Sequence, residues 1–246
     1  MSDTSADRIQ KVLSRLGLCS RRAAELWITS GRVVVNGKPA KLGEKITPED
    51  ELMVDGVIVN TAPSSTRVLL YNKKIGEVCS RTESPSVFDN LPVLTGGKWI
   101  AVGRLDINTS GLLIFTTNGD LANHMAHPRT QLDREYAVRV RGNIDEEVLE
   151  RLRTGVWLED GLAKFNDLVH TSSSNSNSWY QLVVREGRNR LVRRLWQSQG
   201  CEVSRLMRVR MGNLSLEKGV FPGTAKELSP TQVEKLCSDI GFSLSQ

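Results

Sequence analysis

One carboxylate, Asp106, stands in the stretch Gly103-Arg104-Leu105-Asp106-Ile107-Asn108-Thr109-Ser110-Gly111-Leu112-Leu113, directly after the apolar run Trp99-Ile100-Ala101-Val102. An apolar strand that ends in a charged turn and resumes as Leu112-Leu113-Ile114-Phe115 lifts this side chain out of a sheet, towards solvent or a pocket. Such an Asp is either a turn former whose oxygens bond nearby amides or a group available for nucleophilic chemistry. The second stretch able to do chemistry is Glu186-Gly187-Arg188-Asn189-Arg190-Leu191-Val192-Arg193-Arg194-Leu195-Trp196. On a helix, Leu191, Val192, Leu195 and Trp196 share one arc, and Arg190, Arg193, Arg194 and Gln197 share the other. The apolar arc belongs in a core. The arginine arc faces either solvent or a polyanion, because the guanidinium fork grips phosphate or carboxylate with paired hydrogen bonds.

Metal chemistry finds no support. Cys19, Cys79, Cys201 and Cys237 are far apart, and neither thiol nor carboxylate completes a ligand spacing around His124 and His127. Four scattered cysteines are expected as free thiols in a reducing compartment. No apolar run approaches the roughly 18–20 residues that span a bilayer, and Met1-Ser2-Asp3-Thr4-Ser5 is polar with no secretory core, so the expected location is the cytoplasm.

The net charge of +5 is unevenly placed. Eight Lys or Arg stand against one acid from Arg8 to Lys41, and eight Arg against two acids from Arg185 to Arg210, leaving the rest of the chain net acidic. That segregation points to a polyanionic partner, the alternative being two solvated helix faces. Aromatics make up only 5% of the chain, so shape and phosphate contacts rather than a broad stacking platform should dominate recognition.

Several elements must position these residues. Ile9, Val12, Leu13 and Leu16 recur at helical spacing before Gly17, and Ser20 caps a second helix over Arg21–Ser30 with Gly31 beyond it. Two strand pairs follow, turning at Asn36-Gly37 and Asp55-Gly56. Gly31 to Lys38 imitates a phosphate-binding loop, but its glycine spacing is one residue too long and Pro39 stands where a magnesium-binding hydroxyl belongs. Polar, proline-broken residues 61–66 form a linker between a module over 6–60 and a larger domain over 67–246. In the larger domain Val68–Tyr71 and Tyr136–Arg141 read as strands, Asp120 as the cap of a short helix ending before Pro128, and Asp145–Arg153 as a helix. Thr171–Ser178 reads as a surface loop, and Ser229-Pro230-Thr231-Gln232 as a capping box. Strands dominate without regular alternation with helices, so the fold class is α+β, with a mixed, mainly antiparallel sheet flanked by helices.

The Asp106 stretch resembles the G-R-L-D-x-x-T-x-G-L-L signature of pseudouridine synthases, enzymes that isomerise uridine in RNA. Glu186–Trp196 is similar to that family's third motif, whose final Arg, by spacing from Gly187, is Arg193; the resemblance implies that it pairs with and orients the catalytic Asp106. Arg134-Glu135-Tyr136 resembles the motif whose Tyr lies against the target base. Tyr71-Asn72-Lys73-Lys74-Ile75-Gly76 is close to a Y-x-K-P-x-G motif, with Lys74 where Pro is usual. The N-terminal helix pair and hairpins are similar to a small RNA-binding module of ribosomal-protein type. Together they resemble the branch of the family that modifies ribosomal RNA, and Val203-Ser204-Arg205-Leu206 to Arg208-Val209-Arg210 resembles that branch in wording. Relatives often carry a basic tail after the final helix; none precedes Gln246, so affinity supplied by such a tail is expected to be missing.

The resemblance implies a chemistry and its residues. The substrate would be a uridine of large-subunit (23S) rRNA, flipped out of its stack at a cost of about a few kcal/mol. Asp106 would attack either carbon-6 of the uracil or the anomeric carbon of the ribose, and Tyr136 would stack on the base and assist proton removal from carbon-5. Arg104 would fill the vacated stack. Arg15, Arg21, Arg22, Lys73, Arg188, Arg190 and Arg194 are the further RNA-binding candidates, and Gly103 and Gly111 would let RNA approach the loop. Neither cofactor nor metal is expected, and the chain is expected to act as a monomer. Two other readings share these features: a non-catalytic RNA-binding or ribosome-assembly protein, and an N-glycosidase that releases free base.

Overall fold

The computed structural model describes residues 6–62, 65–174 and 177–244. The chain divides into two compact units, one of Met1–Thr66 with Val93–Trp99 and the other of Arg67–Pro92 with Ile100–Gln246. Pro63 and Ser64, in the expected linker, lie outside the described residues, as do Met1–Ser5.

In the first unit, helix α1 (Ile9–Arg15) ends at Gly17 (φ +80°), and α2 (Arg21–Thr29) starts where Ser20 Oγ accepts the Ala23 amide at 3.1 Å. Ile9, Val12 and Leu13 of α1 pack with Ala24 and Ile28 of α2 against Val33, Val35, Leu52 and Val54 of an antiparallel sheet. Both expected hairpin turns are present: Asn36 and Gly37 (φ +49° and +76°) and Asp55 and Gly56 (φ +51° and +80°) have the paired positive φ that two-residue turns require. Gly31 follows the end of α2 and Gly37 lies in a hairpin, so neither belongs to a phosphate loop.

The second unit is built on one sheet, nine-stranded among the described residues. Its main path runs Asp167–Ser174, Asn177–Val184, Arg134–Arg141, Glu202–Met211, Ser110–Thr116, Val68–Lys73, Ala225–Glu227. Every neighbouring pair on this path is antiparallel except Ser110–Thr116 with Glu202–Met211, which is parallel. The fold is therefore α+β with a mixed, mainly antiparallel sheet, as the sequence suggests. Val68–Lys73 and Ser110–Thr116, neighbours in this order, are almost wholly buried. On one face Val68, Leu70, Leu112 and Ile114 meet Leu121 and Met125 of α3 (Gly119–Ala126) and Val233 and Leu236 of α6 (Pro230–Asp239). Helices α4 (Glu146–Thr154) and α5 (Leu191–Gln197) complete the helical set, and α5 buries Leu191, Val192, Leu195 and Trp196.

Two local expectations are corrected. Asn118, not Asp120, caps α3, its Oδ1 accepting the amides of Asp120 at 3.0 Å and Leu121 at 3.1 Å. Thr171–Ser178 is not a loop: Asp167–Ser174 and Asn177–Val184 pair as a hairpin, with Asn175 and Ser176 outside the described residues. Hydroxyls stitch it, Thr171 Oγ1 donating to Trp179 O at 3.0 Å and the Ser173 and Ser178 hydroxyls meeting at 3.1 Å. Being solvent-exposed, this part of the sheet carries none of the apolar alternation by which a strand is read. Among the described residues no helix is long and apolar enough to cross a membrane.

Candidate active site

Asp106 lies in the turn between strands Ile100–Ala101 and Ser110–Thr116, where Gly103 (φ +72°) bends the chain. Following the carbonyls of this turn shows how firmly it is held. Leu105 O accepts from Cys79 Sγ at 3.4 Å, Asp106 O from the Thr109 amide at 3.0 Å and Ile107 O from the Gly76 amide at 2.8 Å. Asn108 O accepts from Arg193 Nη2 at 2.9 Å and Thr109 O from Lys73 Nζ at 2.9 Å. Each main-chain acceptor from 105 to 109 is thus occupied, yet no hydrogen bond reaches the Asp106 carboxylate among the described residues. Among the described residues it pairs with Arg190 Nη1, at 3.8 Å. A turn-forming Asp would spend its oxygens on nearby amides; this one keeps them free.

The carboxylate lines a cleft of about 500 Å³ together with Arg104, Ile107, Tyr136, Arg188 and Arg190. Arg104 is exposed and unpartnered among the described residues. Tyr136, 9% exposed, enters from strand Arg134–Arg141, whose alternating pattern turns it inward. Arg190 caps α5 in the left-handed conformation, φ +49° and ψ +29°. Asn36 and Asp55 adopt similar φ in hairpin turns, where it is ordinary; for an arginine it costs about 1 kcal/mol or more, and strain of this kind concentrates at functional sites.

The residues singled out from sequence fall into three groups. Asp106, Tyr136, Arg104, Arg188 and Arg190 come together in the cleft. Arg193 lies beside it but forms no ion pair with Asp106: its Nη1 donates to Val203 O and its Nη2 to Asn108 O, both at 2.9 Å, so it fixes the main chain of the turn. Burial pushes its guanidinium down from the usual arginine range, Arg190 adding to that and Asp106 opposing it. Arg21 and Arg22 are exposed on α2 of the first unit, while Arg15 is tied to Asp7 at 3.2 Å and to Thr61 O at 3.4 Å.

Lys73 is corrected as an RNA-facing residue. It is fully buried, and its ammonium donates to Lys74 O and Thr109 O at 2.9 Å and to Ile107 O at 3.5 Å, which makes it a positioning residue beneath the Asp106 turn. Burial pushes this ammonium down, with Cys79, Glu77 and Asp106 opposing. Lys73→Met keeps the length and removes the donor, so it should lower stability by about 2 kcal/mol, which the midpoint of a denaturation curve checks. At Lys74, where proline is usual, the amide donates to Glu77 Oε2 at 2.9 Å, a bond that proline cannot make.

Arg188 and Arg194 are largely committed within the protein. Arg194 makes a two-pronged pair with Asp160, both distances 2.8 Å, and Arg188 bonds Asp160 Oδ1 at 3.1 Å and Leu162 O at 2.8 Å. Gly111 is crowded by a neighbouring strand rather than by a ligand, since a Cβ there would lie 2.2 Å from Arg208 O. Reading the sequence missed Arg208 and Arg134 as buried cleft residues, 2% and 5% exposed. The available signal was phase: Leu206 and Arg208 fall on the same inward side of their strand. Among the described residues no three His, Cys, Asp or Glu side chains group to hold a metal, and all four cysteines are free.

This geometry agrees with comparison against known proteins. The RNA pseudouridylate synthase family matches residues 67–198, and the S4 domain family matches residues 7–52. The ribosomal large subunit pseudouridine synthase B of Pseudomonas aeruginosa is 51% identical over 243 residues, covering 96% of this chain and 63% of that protein. The protein of the same name from Haemophilus influenzae is 50% identical, covering 96% and 68%, and that from Escherichia coli O6:H1 is 48% identical, covering 94% and 82%. The chain thus spans about two thirds of the first two relatives, and 50% of the one from Xylella fastidiosa. A crystal structure of a pseudouridylate synthase superposes with a TM-score of 0.65 at 25% identity, over 93% of this chain and 99% of that one. With its Asp106 turn and cleft lying wholly inside a unit matched over more than half of the chain, this protein belongs to the RNA pseudouridylate synthase family.

Proposed function

We propose that the chain isomerises a specific uridine of large-subunit (23S) ribosomal RNA to pseudouridine, with Asp106 as the nucleophile. The observation that carries this reading is the contrast at Asp106: a main chain with every carbonyl from 105 to 109 held, and a carboxylate in the cleft that no hydrogen bond from the described residues reaches. Fixing the backbone while leaving the reactive group unpaired is what preorganised covalent catalysis requires. Tyr136 supplies the surface against which the flipped uracil lies and the group that assists removal of the carbon-5 proton. Arg193 holds the turn, and Arg190, the ion-pair partner of the carboxylate, orients it.

In outline, the base leaves its stack, Asp106 attacks, and the bond from ribose to uracil N1 breaks. The base then turns, and carbon-5 bonds to the ribose. Arg104, exposed beside the nucleophile, is suited to occupy the vacated stack or to hold a phosphate. Arg21 and Arg22 on the first unit, with Arg15 nearby in sequence, supply further phosphate contacts, so that unit is read as the RNA-binding module and the second as the catalytic domain. The protein is read as a monomer acting in the cytoplasm.

Incubation with a 23S rRNA transcript, followed by nucleoside analysis, tests the reaction class: pseudouridine without free uracil is expected. Free uracil would favour an N-glycosidase, and RNA binding with neither product a non-catalytic binder. Affinity should also fall steeply with salt, each phosphate contact contributing about −0.7 to −0.9 to the slope of log K against log salt concentration. Replacing both Arg21 and Arg22 with Gln should flatten that slope by about 1.5 in a filter-binding titration.

A further inference from the structure

Two buried guanidiniums line the cleft, and they differ in one respect. Arg134 has no nitrogen buried without a partner among the described residues: Nη1 bonds Leu132 O and Arg185 O, and Nη2 bonds Ala126 O, each at 3.2 Å. Arg208, 2% exposed, uses Nε on Leu112 O at 2.8 Å, while its Nη2 is buried without a partner among the described residues. No carboxylate pairs with Arg208 among those residues either. Leaving a buried donor unmet is costly, and a guanidinium can only donate, so Arg208, which lines the cleft, is suited to an acceptor.

The register identifies the acceptor. Arg208 is the cross-strand partner of Tyr136 on one side and of Gly111 on the other. Directly opposed residues on neighbouring strands place their side chains on the same face, so Arg208 and the Tyr136 read as lying against the base line the cleft from the same side of the sheet. The exposed Arg104 and the half-exposed Arg190 are better placed for phosphate. Resting on the functional reading above, we propose that Arg208 recognises the uracil itself, holding a ring carbonyl oxygen before the base turns and again afterwards.

The symmetry of uracil makes one donor sufficient for both states. In the isomerisation the N1–C1′ bond breaks, the C5–C1′ bond forms, C5 loses its proton and N1 gains one. Turning the base about the axis through N3 and C6 exchanges N1 with C5 and, with them, O2 with O4. A guanidinium fixed in the protein therefore meets a carbonyl oxygen at the same place in both orientations. Cytosine fails this test in one of the two orientations, where its amino group would face Arg208 donor to donor. The residue thus specifies uridine over cytidine, and sites that must hydrogen-bond their ligand discriminate strongly against a mismatch.

The experiment uses the full chain and an RNA hairpin that spans the modified uridine, synthesised with uridine, 2-thiouridine or 4-thiouridine at that position. Sulfur is a weak acceptor, so wild-type turnover should fall about 10-fold with either thio nucleotide. Arg208→Met should turn over the uridine hairpin about 100-fold more slowly with unchanged RNA affinity, and should no longer distinguish the three RNAs. Arg208→Lys, which keeps a charged donor, should recover part of the rate. Equal thio penalties in wild type and Arg208→Met, or a penalty at only one of the two sulfur positions, would overturn the assignment. If Arg208→Met fails to fold, the wild-type comparison still decides, because equal turnover of all three RNAs contradicts it. Failure of the wild type to form pseudouridine from the uridine hairpin would bring down the functional reading, and this inference with it.

Discussion

Asp106→Asn is expected to abolish pseudouridine formation, by at least about 10³-fold in kcat, while RNA affinity stays within a few-fold of wild type. The substitution keeps the side chain's shape and removes only its charge and nucleophilicity. Stability should barely change, since the carboxylate accepts no hydrogen bond from the described residues and its pair with the half-exposed Arg190, at 3.8 Å, is the kind worth under about 1 kcal/mol. The turn should keep its conformation, because the groups that hold it (Lys73, Gly76, Cys79 and Arg193) bond its carbonyls and not its carboxylate. Removing a negative charge beside an incoming polyanion should leave binding equal or slightly tighter. Single-turnover kinetics and filter binding on the same preparation measure both halves. A pure Asp106→Asn protein that still formed product would remove Asp106 from the chemistry, and one that lost RNA binding as well would mean that the residue positions the RNA.

Gly111→Ala should produce the largest loss of stability, about 4 kcal/mol or more, which lowers the melting temperature by roughly 10 °C in a domain of this size. Two independent effects add. The residue has φ +98°, where an L side chain is strained, and its Cβ would lie 2.2 Å from Arg208 O and 2.9 Å from Arg208 N. Both atoms are main chain of the parallel partner strand, so no side-chain movement relieves the clash. Gly103→Ala is the control: φ is +72°, but no atom lies within 4 Å of the added Cβ, so the cost should be about 1 kcal/mol. Thermal denaturation of the two variants separates crowding from backbone strain. A Gly111→Ala protein as stable as Gly103→Ala would contradict the close approach of the two strands.

How much of this was legible in the sequence depended on whether a residue's role was local. The caps at Ser20 and Ser229 and the turns at Asn36-Gly37 and Asp55-Gly56 follow from short-range chemistry, and each is found where it was read. The Asp106 turn was equally readable, because an apolar run broken by Arg-Leu-Asp and closed by Thr-Ser-Gly has few other solutions. Charged residues were read least well. Lys73 looks like a surface cation until strands Val68–Lys73 and Ser110–Thr116 pair and bury it below the turn. Arg190 and Arg193 appear alike on a helical wheel, yet the left-handed cap at Arg190 turns it towards Asp106, while Arg193 is spent on backbone carbonyls. The exposed Ser and Thr hairpin carried no hydrophobic period, so its hydroxyl ladder could be known only from the pairing partner.

The most direct test of Asp106 as the nucleophile of a uridine isomerase is to map pseudouridine across rRNA from cells lacking this gene, supplied with either the wild-type or the Asp106→Asn allele. One site in 23S rRNA should be modified with the wild-type allele and stay uridine with Asp106→Asn at equal protein levels. A map that does not differ between the two alleles would contradict it.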